Sequence, residues 1–387
     1  MSNTKRILAI IICCLLVFSI TACEKKCEHK WGYILNKENS HTGICDLCGY
    51  ECEHDWNTQK GMCRICRKFC DHSPNTNERT ACEYCGSTFE VMRTTDVVGK
   101  ETEFAIVPVQ WAEPCQEQGT IEKLYYTTDA YNDGNVYEKY VLVYLPYGYD
   151  QNDTSKKYNV VYFQHANGSS REIILQGRSL NVIDNMFYRS DIEPVIIVCT
   201  TFYLYEDNYD VAYDGQAGTE FLFHKEVLED IVPLVESKYN TYTTSFDDEG
   251  LKESREHRAF TGFSRGGACT WNMINYAIEY FQWFSPMSCT CTGPNRDSRF
   301  NDEDAYQYIA NAITSHPDLD VFIFAASGGD KDIPAVKEQI KHFLTHEGVL
   351  SYGKDPSKNN FYYLLSDLTH GNFACDYYYN SLQVFFK

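Results

Sequence analysis

The stretch Gly262-Phe263-Ser264-Arg265-Gly266-Gly267 constrains this chain more than any other. It follows an apolar run, Arg258-Ala259-Phe260-Thr261. It precedes a helical pattern from Gly267 to Phe281, in which Trp271, Ile274, Ile278 and Phe281 recur three or four residues apart. A strand, a sharp turn and a helix are expected in that order. Small residues on both sides of a serine let the backbone take a strained turn that holds the hydroxyl out of the sheet. Ser264 is therefore expected at the tip of a nucleophile elbow.

The surrounding chain supplies the sheet that such an elbow needs. Tyr140 to Leu145, Asn159 to His165, Pro194 to Thr200, Val321 to Ala326 and Phe361 to Leu365 are short apolar runs bounded by turn residues, the pattern of buried parallel strands. Between them lie helical patterns, such as Phe223 to Tyr239, with Val227, Leu228, Ile231, Val232, Leu234 and Val235 on one broad face. Alternating strand and helix predicts the α/β class, a doubly wound and mostly parallel sheet, from about Gly119 to the C-terminus. Residues 91–118 are expected to be a connector.

Ligands of such sheets sit beyond the carboxyl ends of the strands. The loop after Val321–Ala326 reads Ser327-Gly328-Gly329-Asp330-Lys331-Asp332, and the loop after Phe361–Leu365 reads Ser366-Asp367-Leu368-Thr369-His370-Gly371. Serine, aspartate and histidine thus follow three strands in the order expected of hydrolases on this sheet. A serine hydroxyl needs a histidine to take its proton and a carboxylate to fix the imidazole tautomer. Ser264 is expected as nucleophile, His370 as base and acid, and Asp330 as the orienting carboxylate, with Asp332 as the alternative. The oxyanion donors are expected to be the backbone N–H of Arg265 and that of Ala166, in the loop Gln164-His165-Ala166-Asn167-Gly168. His165 reads as a structural hydrogen-bonding residue.

A formal charge of −20 repels phosphate backbones, so nucleic acid is not an expected partner. At the N-terminus, Lys5 and Arg6 precede an apolar run from Ile7 to Ile20 that is short for a membrane span. Ile20-Thr21-Ala22-Cys23 then resembles a bacterial lipobox. Residues 1–22 read as a lipoprotein signal and Cys23 as the lipid-bearing residue, which puts the protein on the outer face of a bacterial membrane. An ordinary secretory signal is the alternative.

Residues 23–90 differ in composition. Three times a C-x-H is followed by a C-x2-C: Cys27 and His29 with Cys45 and Cys48, Cys52 and His54 with Cys63 and Cys66, Cys70 and His72 with Cys82 and Cys85. Each unit carries three thiolates and one imidazole, the ligand set of a closed structural zinc site. Units this short bury too little apolar surface to fold unaided, so metal binding would supply the folding energy. A disulfide framework is the alternative, but the nine cysteines after Cys23 are an odd number and disulfides need no histidines in register. A shifted grouping, Cys45, Cys48, Cys52 and His54 followed by Cys63, Cys66, Cys70 and His72, is also open. No catalysis is assigned to these sites, and a cell-wall or protein partner is expected for them.

The stretches Tyr144-Leu145-Pro146-Tyr147-Gly148-Tyr149, Thr201-Phe202-Tyr203, His257 to Ser264 and Thr369-His370-Gly371 resemble the bacterial feruloyl-esterase and acetyl-xylan-esterase family, the esterase D-like α/β-hydrolases. The resemblance implies hydrolysis of an ester on plant cell-wall xylan, with no cofactor for catalysis, and aromatic substrate contacts for which Phe202 and Tyr203 are the candidates. Trp271 reads as core. Two positions depart from the family pattern. His165-Ala166-Asn167 stands where the family usually has His-Gly-Gly, and Arg265 stands where it often has Met. Arg265 is expected either to meet an anionic substrate group or to lie on the surface. Other readings are a general acyl or thioester hydrolase or acyltransferase on this scaffold, and a non-catalytic binding lipoprotein that works through its zinc modules.

Overall fold

The computed structural model describes residues 97–100, 102–105, 107, 109–188, 192–205, 218–295, 297–346, 348–353, 359–366, 368–370 and 374–387, together with the backbone of a few short strands before them. The chain divides into two compact units, Met1–Phe89 and Glu90–Lys387.

In the first unit, His41–Cys45 pairs antiparallel with Trp31–Leu35 and with Glu51–Glu53, and Trp56–Asn57 pairs with Met62–Cys63. Of the expected zinc ligands, Cys45, Cys52 and Cys63 fall on these strands. Cys27, His29, Cys48, His54, Cys66, Cys70, His72, Cys82 and Cys85 lie outside the described residues, as do Cys23 and the signal segment. Among the described residues no helix is long and apolar enough to cross a membrane.

The second unit is built on a nine-stranded sheet. Its strands are β1 (Thr120–Thr128), β2 (Tyr137–Leu145), β3 (Val160–Gln164), β4 (Ile196–Thr200), β5 (Arg258–Phe263), β6 (Trp283–Met287), β7 (Phe322–Ser327), β8 (Ser351–Tyr352) and β9 (Asn360–Leu365). Their order across the sheet is β8-β9-β7-β6-β5-β3-β4-β2-β1. All pairings are parallel except β4 with β2 and β2 with β1. Among the described residues the helices are α1 (Gly177–Tyr188), α2 (Thr219–Glu226), α3 (Val232–Lys238), α4 (Asp248–Glu253), α5 (Arg265–Ala277), α6 (Asp302–Thr314), α7 (Pro334–Thr345) and α8 (Ala374–Leu382).

The central strands are buried along their whole length, which is why they read as unbroken apolar runs. Alternate residues enter opposite layers. Val160 and Tyr162 of β3 join one core with Phe223, Val227, Ile274, Ile309 and Ile340 from α2 to α7. Val161 and Phe163 join the other, with Val182 and Met186 of α1 and Tyr377 and Leu382 of α8. Helices on both faces make the sheet doubly wound, as expected.

Strand β6 was not among the expected strands. Its Pro286 removes a ladder donor, which argues against a central strand from sequence. Yet the strand is buried and pairs in register with both β5 and β7.

Residues 91–118 are not a loose connector. The Val97 N–H donates to the Tyr363 hydroxyl at 3.2 Å, and the Val107 N–H to Asp376 Oδ1 at 2.8 Å. Trp111 is 2% exposed and packs edge-on against Tyr379. Apolar side chains in this stretch find buried sites, so the large unit begins well before Gly119.

A buried ion pair braces β2 against α2. Lys139 and Glu226 are both fully enclosed, with Nζ 2.6 Å from Glu226 Oε1. The hydroxyls of Tyr126 and Tyr131 also donate to this carboxylate, and Lys139 donates to the Thr201 carbonyl at 2.9 Å. A buried pair is tolerable only when its remaining polar valences are met in this way. Glu226 ends α2, and a π-helical turn, Val227–Ile231, joins it to α3.

Candidate active site

Ser264 sits between β5 and α5 with φ 56° and ψ −115°. A non-glycine residue there carries roughly 1–3 kcal/mol of strain, held by its surroundings. Those surroundings explain the glycines. A Cβ on Gly262 would stand 2.3 Å from the Gly266 carbonyl oxygen, and one on Gly266 would stand 2.2 Å from that of Gln164. One on Gly267 would meet the Met287 carbonyl oxygen at 2.7 Å. The turn is locked from outside as well, since the Ser264 N–H donates to the Met287 carbonyl at 2.8 Å.

His370, in the loop after β9, places Nε2 3.0 Å from Ser264 Oγ. Its Nδ1 lies 2.6 Å from Asp332 Oδ1. The Nδ1–H donates to the carboxylate, so Nε2 faces the serine hydroxyl as an acceptor. The imidazole packs on Phe263, with ring centroids 4.9 Å apart.

The carboxylate that meets the histidine is therefore Asp332, and the expectation for Asp330 is corrected. Asp330 points outward, its side chain 72% exposed, and pairs with Lys337 at 2.8 Å. Asp332 is fully buried. Its second oxygen accepts from the Ser327 hydroxyl at 2.8 Å and the Gly328 N–H at 3.2 Å. The reason lies in the loop after β7. Gly329 takes φ 54°, and Gly329–Lys331 form one tight helical turn, which swings Asp330 outward and brings Asp332 back under the sheet edge. Gly328 has no room for a side chain, because a Cβ would collide with the Leu368 carbonyl oxygen. The loops carrying Asp332 and His370 are thereby pressed together.

The Ala166 loop leaves β3, the strand beside β5. Among the described residues, neither the Ala166 N–H nor the Arg265 N–H forms a hydrogen bond. The Arg265 amide follows Ser264 directly, and the Gln164 and His165 carbonyls at the start of the Ala166 loop pack against Gly266. His165 holds the loop from beneath. Its Nδ1–H donates to the Ala166 carbonyl at 2.7 Å, and its Nε2 accepts from the Thr201 hydroxyl at 2.7 Å. Burial pushes this imidazole down to about 4, so it stays neutral and keeps that tautomer.

Arg265 is held within the protein rather than loose on the surface. Its guanidinium donates to Glu220 Oε1 at 2.7 and 2.9 Å and to Asn167 Oδ1 at 2.7 Å. It ties α5 to α2 and to the loop carrying Ala166. Phe202, expected as a substrate contact, is 1% exposed and belongs to the core. Its ring packs against His165, Tyr203 and the Arg265 guanidinium, so it supports the site from within. Tyr203 is half-buried, and its hydroxyl accepts from the Gly168 N–H at 2.7 Å. Trp271 is core, as expected, with its Nε1–H on the Cys289 carbonyl.

Sequence reading missed Ser327, Thr201 and Glu220. Ser327 and Thr201 carried one usable signal, since each is a hydroxyl at the carboxyl end of a predicted strand. Glu220 carried none.

Similarity to known proteins agrees with this geometry. The esterase family model matches residues 138–350. Endo-1,4-beta-xylanase Y of Acetivibrio thermocellus is 33% identical over 293 residues, 72% of this chain. The chain spans about a quarter of that xylanase's length, 24%. A feruloyl esterase module from Clostridium thermocellum, solved with sinapinate, aligns with a TM-score of 0.60 and 31% identity, over 73% of this chain and 93% of that one. A ferulic acid esterase from Anaeromyces mucronatus shares the fold at 19% identity and a TM-score of 0.51, over 72% of this chain and 96% of that one.

Proposed function

The chain belongs to the esterase family, with the feruloyl esterase module from Clostridium thermocellum, as a serine carboxylic-ester hydrolase, and from that premise we propose that it removes feruloyl groups from plant cell-wall xylan. One observation carries the catalytic reading. Ser264, His370 and Asp332 form an unbroken hydrogen-bonded line at the strained turn between β5 and α5.

The steps follow from the donors and acceptors. His370 Nε2 takes the proton from Ser264 Oγ as the oxygen attacks the ester carbonyl. The carbonyl oxygen gains the charge and meets the N–H groups of Arg265 and Ala166. Asp332 stabilises the imidazolium without taking its proton. That imidazolium protonates the departing sugar oxygen, which leaves the acyl group on Ser264. Water, deprotonated by the same nitrogen, attacks the acyl carbon and frees the acid.

The feruloyl reading is supported by the sinapinate-bound relative and by the xylanase that is 33% identical over 293 residues. The test compares turnover of methyl ferulate, an acetylated xylan and a short p-nitrophenyl ester by the protein and by Ser264→Ala. We expect methyl ferulate to be the best substrate, and Ser264→Ala to lose on the order of 10⁴–10⁶ in kcat. Preference for acetylated xylan would overturn the feruloyl assignment. An unlabelled Ser264 under a fluorophosphonate probe would overturn the nucleophile.

The same proposal puts the protein outside the cell, held to a bacterial membrane by a lipid on Cys23, with structural zinc in residues 23–90. The lipobox-like stretch and the threefold Cys/His repeat support it. Cys23→Ala should move the protein from the membrane fraction to the soluble one. Replacing Cys45 and Cys48 by serine should remove about one zinc ion per chain. Unchanged fractionation or unchanged zinc would reject the corresponding part.

A further inference from the structure

A second cluster of chemistry-bearing side chains lies where α6 packs beside α7. Asn301 and Asp304 close a capping box at the start of α6, which fixes the turn that carries Glu303. His342 lies in the last turn of α7, and His346 follows four residues later at its C-terminal cap. That spacing puts both rings on one face, with centroids 4.1 Å apart.

The three side chains converge. Glu303 Oε2 is 3.0 Å from His342 Nε2 and 3.1 Å from His346 Nε2. All three ligand atoms lie within 4.8 Å of one another. Two of the three are already held on their outer sides. Glu303 Oε1 accepts from Gln307 Nε2 at 2.8 Å, and the His346 Nδ1–H donates to the His342 carbonyl at 2.8 Å. The ring of Tyr306 packs against His346, with centroids 4.4 Å apart. Ligands oriented by outer hydrogen bonds of this kind are the usual arrangement around a protein-bound metal.

The tautomer sharpens the argument. With the proton on Nδ1, a neutral His346 turns a bare Nε2 lone pair toward a carboxylate oxygen. Two lone pairs at that separation repel unless a cation neutralises them. A second proton on His346 is one such cation, and a metal ion is the other. Contacts of 3.0–3.1 Å suit neighbouring ligands on one ion with bonds of roughly 2.0–2.2 Å.

We propose that Glu303, His342 and His346 bind a divalent first-row transition ion, Zn²⁺ because two borderline imidazole donors outnumber one hard carboxylate, with water completing the coordination. The ion clips α6 to α7. Helix α7 starts two residues after Asp332, and His342 lies about 12 Å further along its axis. The site is therefore separate from ester hydrolysis and stiffens the helix behind the orienting loop.

The test keeps the full chain, so that metal held by the N-terminal cysteines is common to every sample. Chelator-stripped protein is titrated with Co²⁺ and with Zn²⁺, and compared with Glu303→Gln and with the double variant His342→Ala/His346→Ala. We expect both variants to bind about one ion fewer per chain. They should lose the part of the visible d–d absorption that this site adds, while keeping the d–d bands and the thiolate-to-cobalt charge transfer of the N-terminal sites. They should also lose part of the Zn²⁺-induced rise in Tm. The same stoichiometry, spectrum and Tm rise in wild type and variants would overturn the proposal and leave a protonated His346 as the partner of Glu303. The three positions are partly exposed, so the variants are expected to fold, and unchanged far-UV circular dichroism checks it.

Discussion

Asp330 and Asp332 are two residues apart on one loop, yet only one can orient a histidine. The difference is burial and partners. Asp332 is enclosed and holds His370, Ser327 and Gly328, whereas Asp330 is in solvent with Lys337. Asp332→Asn should lower kcat by about 10⁴, because the wrong imidazole tautomer then faces Ser264. Asp330→Asn should leave kcat within about twofold, since an exposed pair of this kind is worth little. Steady-state kinetics on one ester decides between them, and a large loss in Asp330→Asn would reverse the assignment. Both aspartates were legible as candidates because each follows a strand. The choice between them was not, because it depends on the φ of Gly329 and on a short turn that no residue pattern announces. Arg265 and Phe202 teach the same lesson. Their types suggested ligand contact, but the arginine is engaged by Glu220 and Asn167, and the phenylalanine is sealed in the core.

At the scale of elements, the elbow is a three-way contact between β5, α5 and the loop leaving β3. Gly266→Ala puts a methyl group against the carbonyl oxygens of Gln164 and His165, both backbone atoms that cannot move aside cheaply. We expect a loss of roughly 1–3 kcal/mol in denaturant unfolding, by the overpacking seen when atoms are added to full sites. A larger fractional loss in kcat should accompany it, because the same shift moves the Ala166 N–H. The link between β3 and β4 gives a pH prediction. Burial lowers the His165 imidazole from its ordinary value near 6.5 to about 4. The unfolded chain therefore binds more protons between those values, so stability rises with pH across that window. The contribution is complete above about 6.5 and is lost as pH falls through about 4, and it amounts to on the order of 3 kcal/mol. Guanidinium unfolding at several pH values, with His165→Asn for comparison, should show that slope in the wild type and a weaker one in the variant. Equal slopes would remove His165 as its source.

At the scale of the whole molecule, the boundary of the catalytic unit follows from burial. Val97, Val107 and Trp111 are inside, and their segment hydrogen-bonds to Tyr363 and Asp376. A chain that begins at Glu90 should keep ester turnover. One that begins at Gly119 should melt several degrees lower, since removing a buried tryptophan alone costs about 3–5 kcal/mol. Calorimetry of the two truncations checks this, and equal Tm values would restore 91–118 as a connector. The stretch was hard to place from sequence because it has neither helical nor strand periodicity. Its few apolar residues pack one by one onto a surface that exists only after β9 and α8 are in place.

The sequence by itself determined the class of sheet, the position of the elbow and the pair Ser264 and His370, because those follow from local rules. Buried parallel strands must be apolar throughout, and a strained turn must have glycines beside it. Tertiary structure alone decided which aspartate completes the line, what Arg265 holds and where the large unit begins. Each of those is a contact between segments far apart in the chain. The energy that selects it is burial against a partner, and local composition cannot encode who that partner is.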